Sequence, residues 1–500
     1  MSWNIKGLLM IFGIALYVLL LGNGVAWSLN KIVMSEDKYI SIAGYVENLS
    51  AMRVTGEYRG ECAAFRNTFR PEFLFQFAKN SRLFASGYFV KEIDYKMEEG
   101  TGIADDFYDQ TEFEAYEFHL DVDISPKTFL RAGRQFVIWG ETDLFQLLDI
   151  INPQDSRWVC PAVMSLEDTR IPMWGINLSR KFGWVNSLEL VFFPLLGEEE
   201  DRVNKGAPVG GRWRVNDPPA ANLFTNLPAL GADYGAAAAG GAALDTSKVF
   251  YQDIPSDDLS DSRVGMRYRT AILGADVAFM GYYGHDLSPV IQYNGNEIVG
   301  ANFVPDVALT YHRQAFLGFA LNYFDSTYTD SIYRGEFAYL PNKHFNTIDP
   351  NVPSGVIKAD TLMYCLGWDR EFVFPWLHPD DPSTTTFITA QMFQTIVLDH
   401  DDNMRVAIYD TNVHEFDTTF TLVMSSAWIN GAYGFEVAGS YNPTRYAHGM
   451  IRPKFTFKPP WDVNQKVELL YTHFMGQYEY EGMGLFDEKD SIFLRLRYQF

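Results

Sequence analysis

The last ten residues constrain the fold more strongly than any other stretch of this 500-residue chain. Apolar and polar residues alternate there, and the apolar positions are Ile492, Leu494, Leu496, Tyr498 and Phe500. The positions between them include Arg495, Arg497 and Gln499. Successive side chains of a β-strand point to opposite faces, so this segment predicts a strand with one apolar and one charged face.

A strand of this kind that ends in Phe resembles the terminal strand of bacterial outer-membrane β-barrels. The barrel insertion machinery recognises that strand in those proteins. The resemblance implies an outer-membrane location, with membrane lipid and lipopolysaccharide as surroundings and the insertion machinery as a partner.

The amino-terminal residues have the features of a secretory signal peptide. Asn4 and Lys6 precede an apolar run over residues 7–21, and small residues follow at 24–26. We therefore expect residues 1–26 to be a signal peptide and residues 27–500 to be a single barrel domain. The alternative is a membrane anchor, but the run is shorter than the roughly 20 residues that a spanning helix needs.

The alternation of apolar residues on one face with charged or polar residues on the other recurs along the chain. It is found in Ala115–Asp123, Ser262–Arg269, Ser331–Leu340, Thr419–Trp428 and Lys466–Thr472. A soluble sandwich would show the same pattern with its apolar face turned inward. In a membrane barrel, an Arg on the lipid face costs roughly 2–4 kcal/mol at mid-membrane, which explains why Arg263, Arg267 and Arg269 share one phase. The sequence thus predicts an all-β fold, a transmembrane antiparallel β-barrel of about 16–18 strands.

Charge and cysteine content exclude other classes. The net charge of −23 argues against a nucleic-acid binder, which needs basic surfaces. Three cysteines cannot all pair within one chain, and the only bridge that we consider is Cys62–Cys160.

Longer connections are expected at about 138–171, 195–261, 285–302, 341–359, 397–416 and 476–489. The first carries polar and aromatic residues and is a candidate lumen constriction. The second contains the Gly- and Ala-rich run Gly231–Leu244. An exposed apolar loop of this kind either marks a binding surface, which shelters a hydrophobic ligand, plugs the barrel or sits in the outer leaflet, or it has no role.

The first connection holds a cluster of short motifs. They are Gly133-Arg134-Gln135, Trp139-Gly140-Glu141, Asn152-Pro153-x-Asp155 and Arg170-Ile171-Pro172. Together they resemble a family of large outer-membrane barrels of undefined function, often carried beside lipid exporters of the resistance-nodulation-division (RND) type. The resemblance implies work with such an exporter and a periplasmic carrier.

This cluster has two interpretations that do not exclude each other. In the structural one, an ion-pair network pins a folded loop; its members would be Arg134, Glu141, Asp155, Asp168 and Arg170. In the functional one, a selectivity ring contacts substrate. The candidate binding residues are Arg134, Trp139, Glu141, Asp155, Arg170, Arg263, Arg267 and Arg269.

These features favour an outer-membrane channel or carrier for a small or lipid-like hydrophobic molecule. A general or anion-preferring porin is the alternative, with the three arginines on residues 263–269 attracting anions. A barrel lipase and a structural surface protein are less favoured, because no nucleophile elbow, metalloprotease or phosphate-loop motif is present. We expect no enzyme activity, cofactor or metal.

Overall fold

The computed structural model describes residues 31–56, 58–92, 111–156, 166–205, 227–379, 384–406, 411–444, 446–476 and 482–500. The expected signal peptide, residues 1–26, lies outside the described residues. The same holds for Cys160, and therefore for the suggested Cys62–Cys160 bridge.

Eighteen antiparallel strands form a closed barrel, which confirms the predicted class and the upper end of the predicted strand number. They are β1 Lys38–Arg53, β2 Cys62–Ala78, β3 Ser81–Lys91, β4 Thr111–Ser125, β5 Thr128–Gln135, β6 Met173–Phe182, β7 Asn186–Phe193, β8 Arg263–Ile272, β9 Ala275–His285, β10 Arg313–Asp325, β11 Ser331–Thr347, β12 Val356–Val373, β13 Thr385–Val397, β14 Phe416–Trp428, β15 Tyr433–Asn442, β16 His448–Phe457, β17 Gln465–Gly476 and β18 Ser491–Gln499. Each pairs with its neighbours in sequence, and β18 pairs with β1 over Tyr45–Arg53.

Connections alternate between the two ends of the barrel. One end has tight turns such as 79–80, 126–127 and 273–274, and the other has long connections such as 136–172 and 194–262. Short turns are periplasmic and long loops extracellular in barrels of this type. The expected connection at 341–359 was wrong in its extent, because β11 continues to Thr347 and β12 begins at Val356.

Phe500 closes the barrel seam. Its N–H donates to the carbonyl of Gly44 over 3.0 Å, and its carbonyl accepts from the N–H of Gly44 over 3.1 Å. The ring stacks on Phe69 with 6.0 Å between centroids. A Cβ at Gly44 would lie 2.9 Å from the Phe500 ring, so the glycine provides the space that the ring occupies.

The outer surface is apolar and the lumen side is charged. On β8 the side chains of Val264, Met266 and Tyr268 are exposed, whereas Arg263 is fully buried on the other face. This confirms the predicted phase of that strand. Among the described residues no helix is long and apolar enough to cross a membrane.

An extracellular cap is built on the long-loop end. It consists of a helix at Pro228–Ala239 packed on a hairpin of strands Val290–Val299 and Asn302–Thr310. Strands Ala243–Leu244 and Val249–Asp253 pair with the second hairpin strand. Leu227 and Leu230 are buried in its core. In this part of the 195–261 loop, apolar residues therefore pack against the hairpin; residues 206–226 lie outside the described residues.

The other short elements lie before β1 or in the connections. They are the helix Leu166–Thr169, the 3-10 helices Glu199–Arg202, Leu259–Asp261 and Gly482–Phe486, and the strands Ile32–Ser35 and Met404–Arg405.

Candidate functional site: the segment inside the lumen

The described part of the connection between β5 and β6, residues 136–156 and 166–172, packs against inward-facing residues of the barrel wall. We call these residues the inward segment. Asn152 holds its two ends together: its side-chain carbonyl accepts from the N–H of Val137 over 2.9 Å, and its amide donates to the carbonyl of Ile171 over 3.0 Å. The Asn-Pro motif thus fixes where the segment leaves and rejoins the wall.

Trp139 anchors the outgoing part to β7 and β8. Its side chain is 1% exposed, and its indole N–H donates to the carboxylate of Glu189 over 3.2 Å. Arg267 donates to the same carboxylate over 2.8 Å and to the carbonyl of Ile138 over 3.1 Å. Its guanidinium also lies 5.7 Å from the Trp139 ring. Two members of the predicted site, Trp139 and Arg267, therefore share one partner that the sequence did not identify.

A second anchor joins the segment to β11 and β12. Arg334 lies 2.5 Å from the carboxylate of Asp143 and 2.7 Å from that of Asp369, and it also donates to the carbonyl of Glu141. Glu336 accepts from the N–H groups of Glu141 and Leu148. Buried N–H groups are costly when unpaired, so these contacts hold the backbone of the segment in place.

Apolar side chains of the segment pack against two different parts of the barrel wall. Leu147, Leu148 and Ile151 are buried in one core with inward residues of the wall, namely Met280, Tyr282, Phe316, Ala320, Ala338, Leu340 and Cys365. Leu144 packs instead on a cluster formed by β1, β2, β16, β17 and β18 together with Met483 and Phe486. The segment therefore touches both sides of the barrel.

The returning part is fixed by charge. Asp168 lies 3.6 Å from Arg70 on β2 and 3.7 Å from Arg497 on β18. Arg170 is buried and forms a close ion pair with Asp149, and its carbonyl accepts from the hydroxyl of Tyr116 over 2.6 Å. These pairs are the part of the predicted network that the structure contains.

The other three members also contact parts of the chain outside that network. Arg134 forms ion pairs with Glu114 of β4 and with Asp201, which belongs to the connection after β7 and not to the inward segment. Glu141 contacts Asn322 through its carboxylate. Asp155 forms a backbone bridge with Lys205. Asp155 also donates its N–H to the carbonyl of Thr169 over 2.6 Å, between Asp168 and Arg170.

The three arginines of β8 do not form an open cationic stripe. Arg263 is fully buried and donates to the carbonyl of Arg202, and Arg267 is neutralised by Glu189. Arg269 alone is exposed, and no ion pair to it is found within the described part of the chain. Two of the three charges that could attract anions are therefore already engaged, and Arg269 is the one that is exposed.

Sequence reasoning missed the wall residues that receive the segment. Arg334 and Glu336 lie in the Ser331–Leu340 pattern, whose phase already placed them inward. The alternation gives their direction but not their partners, which lie 188 to 195 positions away in sequence.

A cavity of about 500 Å³ lies on the extracellular side of the segment. It contains polar groups such as Lys343, Arg405 and Asp417. Its apolar lining includes Phe145, Val290, Phe345, Val397, Val413 and Met483. We call it the vestibule. Its volume lies in the range of small-molecule pockets, about 300–1,000 Å³.

A closed 18-strand barrel with an apolar exterior and an inward-folded connection defines a porin-like protein of the outer membrane. Residues 108–500 match the family described as "Protein of unknown function (DUF1302)", and the chain belongs to that family. None of the curated proteins matches the chain.

The chain is similar to solved porin structures. A BenF-like porin from Pseudomonas fluorescens Pf-5 is 9% identical, with 92% of this chain and 98% of that chain covered and a TM-score of 0.50. OccK3 (OpdO) of Pseudomonas aeruginosa is 10% identical, with 92% and 95% covered and a TM-score of 0.48. OccAB4 of Acinetobacter baumannii is 9% identical, with 93% and 98% covered and a TM-score of 0.47. At these identities the likeness concerns the fold alone.

Proposed function

We propose that this protein is an outer-membrane channel or carrier for a small hydrophobic or amphipathic molecule, and that the inward segment restricts free passage of water-soluble solutes. The observation that carries the proposal is the position of this segment. It is bound to β7 and β8 through Trp139, to β11 through Glu336, and to the opposite side through Leu144.

The lining of the barrel supports a cargo of low charge. Inward charges on several strands are already neutralised, as in the pairs Glu436–Lys454, Glu468–Arg495 and Glu47–Arg497. Paired charges give a weak net field, so they select poorly for ions. The vestibule, in contrast, offers apolar side chains at the point where a molecule would meet the segment.

An anion-preferring porin remains the second candidate, and the observation in its favour is the exposed Arg269. A single cation on the lumen wall would raise anion preference only slightly. The reversal potential in a salt gradient distinguishes the two candidates. The proposed function expects little preference, and a strong anion preference that is lost in Arg269→Gln would support the porin.

We also propose that the cargo is passed to or from an RND-type exporter through a periplasmic carrier. This proposal rests on the resemblance of the Gly-Arg-Gln, Trp-Gly-Glu and Asn-Pro-x-Asp motifs. Affinity capture of the barrel with cross-linking in intact cells should recover such an exporter; its absence from repeated captures would contradict the partnership.

Transport itself is tested with purified protein in liposomes. Swelling in arabinose measures passage of a polar solute, and transfer of a fluorescent monoacylglycerol measures passage of an amphiphile. We expect slow swelling and protein-dependent transfer. Fast swelling with no transfer above that of protein-free liposomes would refute the proposal.

A further inference from the structure

The barrel wall has a step between β4 and β5. Strand β4 has 15 residues and β5 has eight. Their pairing stops at Phe118 and Arg134, because the chain turns into the lumen after Gln135. The edge of β4 over residues 111–117 therefore faces no strand on this side within the described part of the chain. We call this gap the notch.

The lower end of the notch lies at the level of the outer leaflet. Strands rise about 3.3 Å per residue and tilt by about 40° in such barrels, so Phe118 lies roughly 21 Å above the turn at 126–127 and Phe113 roughly 34 Å above it. The apolar band of an outer-membrane barrel is about 25 Å tall. Phe113 and Trp174, which flank the notch, are both exposed.

Arg134 takes the place of the missing strand. Its guanidinium donates to the carbonyl of Ala115 over 2.6 Å and to the carbonyl of Pro172 over 3.2 Å, which joins the two sides of the gap. It also pairs with Glu114 over 2.6 Å and Asp201 over 2.9 Å. A side-chain bridge is easier to open than a ladder of backbone hydrogen bonds, because moving one residue breaks it.

Residues 194–205 run over the notch, and we call them the strap. Gly197 approaches Trp174 so closely that a Cβ at Gly197 would lie 3.1 Å from the indole. At the far end of the strap, the N–H of Lys205 donates to the carbonyl of Gln154 over 2.8 Å, and the carbonyl of Lys205 accepts from the N–H of Ser156. The strap thus connects the notch with the inward segment.

A cavity of about 430 Å³ lies between the strap and the notch. Its apolar lining includes Phe113, Ala115, Trp174, Phe193, Leu195 and Leu196. Trp174 of this lining lies 6.4 Å, between ring centroids, from Phe118, which belongs to the exposed apolar outer surface together with Ile176. A hydrophobic chain in the bilayer could therefore reach the cavity without crossing water.

The charged residues around the cavity restrict which polar head group a bound amphiphile can carry. Five carboxylates line it, and three cations oppose them: Glu112, Glu114, Glu198, Glu200 and Asp201 against Arg134, Arg202 and Lys205. The excess of negative charge disfavours a phosphate or carboxylate head group.

We propose that the notch is a lateral binding site for a neutral or cationic single-chain amphiphile that arrives from the outer leaflet. This inference rests on the proposed function, in that it names the class of the hydrophobic cargo and its route into the wall. Loosening of the bridge at Arg134 then opens the site towards the bilayer.

The site is tested with a diazirine-bearing monoacylglycerol in phosphatidylcholine proteoliposomes that contain the full chain. After illumination, labelled peptides are mapped by mass spectrometry. We expect peptides with residues 112–115, 172–174 or 195–201 to be labelled more strongly than a lipid-facing peptide around Phe435. Equal labelling of both regions would overturn the proposal.

Three variants sharpen the test. Ala115→Trp places an indole in the cavity and should lower labelling of the notch about tenfold, while labelling around Phe435 stays unchanged. Ala427→Trp, at an exposed alanine of β14, is the matched control and should change neither. Arg134→Gln should raise labelling of the notch. Unchanged labelling in Ala115→Trp, or equal competition by unlabelled lysophosphatidic acid and monoacylglycerol, would contradict the site.

Failure of this site is distinguishable from failure of the proposed function. Specific labelling of the notch without transfer between liposomes would leave the site in place and refute transport. Transfer that is insensitive to Ala115→Trp would support transport and refute the lateral site.

Discussion

Trp139 occupies the space above Gly265: a Cβ at residue 265 would lie 2.7 Å from Cη2 of the indole. The same Cβ would lie 2.9 Å from Cγ2 of Val191. Gly265 lies between the inward-facing Arg263 and Arg267, and its lack of a side chain leaves the space that Trp139 of the inward segment fills. The segment and the wall fit each other at this point, which is what a fixed constriction requires.

Gly265→Ala should displace Trp139 from the space above residue 265. Overpacking of this kind costs about 1–3 kcal/mol, so the free energy of unfolding should fall by that amount. Urea unfolding followed by gel mobility measures it. The control is Gly434→Ala, where the nearest neighbour of the new Cβ is 3.5 Å away and little change is expected. Equal effects of the two changes would contradict the packing described for Trp139.

The carboxylate oxygens of Glu336 should stabilise the inward segment by accepting hydrogen bonds from its backbone. In Glu336→Ala the N–H groups of Glu141 and Leu148 lose their partner, which costs about 1–3 kcal/mol for each group left buried and unpaired. We expect faster proteolysis within the inward segment, measured by cleavage in detergent. Glu336→Gln retains an acceptor and should restore much of the protection. A Gln variant as sensitive as the Ala variant would argue against this role.

Phe500 should assist assembly of the barrel seam. Phe500→Ala removes the ring that contacts Gly44 and Phe69, so a smaller fraction of the protein should reach the heat-modifiable, folded form in outer membranes. Phe455→Ala, at an exposed aromatic on β16, is the control for loss of an aromatic side chain. Similar folded fractions for the two variants would show that the Phe500 contacts are dispensable.

The extracellular cap should loosen in alkali. Burial, together with a hydrogen bond to Asp233, raises the pKa of Tyr293 from 10.0 to about 12. The fold thus favours the neutral phenol, and this stabilisation is complete below pH 10 and is lost as the pH rises towards 12. Protease sensitivity of the cap should increase over that window in the wild type. In Tyr293→Phe the increase should be smaller; an identical profile would contradict the assignment.

Much of the barrel follows from alternation alone. The phase of Met266 and Tyr268 against Arg267 gives the lipid and lumen faces, since only one arrangement keeps arginine out of lipid. The alternation in Ser331–Leu340 places Arg334 inward in the same way. The connection from residue 138 is long and polar, which predicts a constriction of the lumen there.

The partners of these residues do not follow from alternation. Arg134 bonds Asp201 across 67 positions, and Arg267 bonds Glu189 across 78 positions. Such pairs depend on how loops pack in three dimensions, which a strand period does not record. The Gly- and Ala-rich run after Gly231 begins as a helix on the cap, because Leu230 and Tyr234 find an apolar hairpin to pack against.

The most direct test of the account is single-channel conductance with the link between Asp143 and Arg334 intact or broken. Arg334→Gln removes the cation that holds the inward segment to β11 and β12. Lys454→Gln, which removes a cation paired with Glu436 on the wall, is the matched control. We expect low conductance for the wild type and the control, and a larger, fluctuating conductance for Arg334→Gln. A wild type that conducts as well as Arg334→Gln would contradict the constriction.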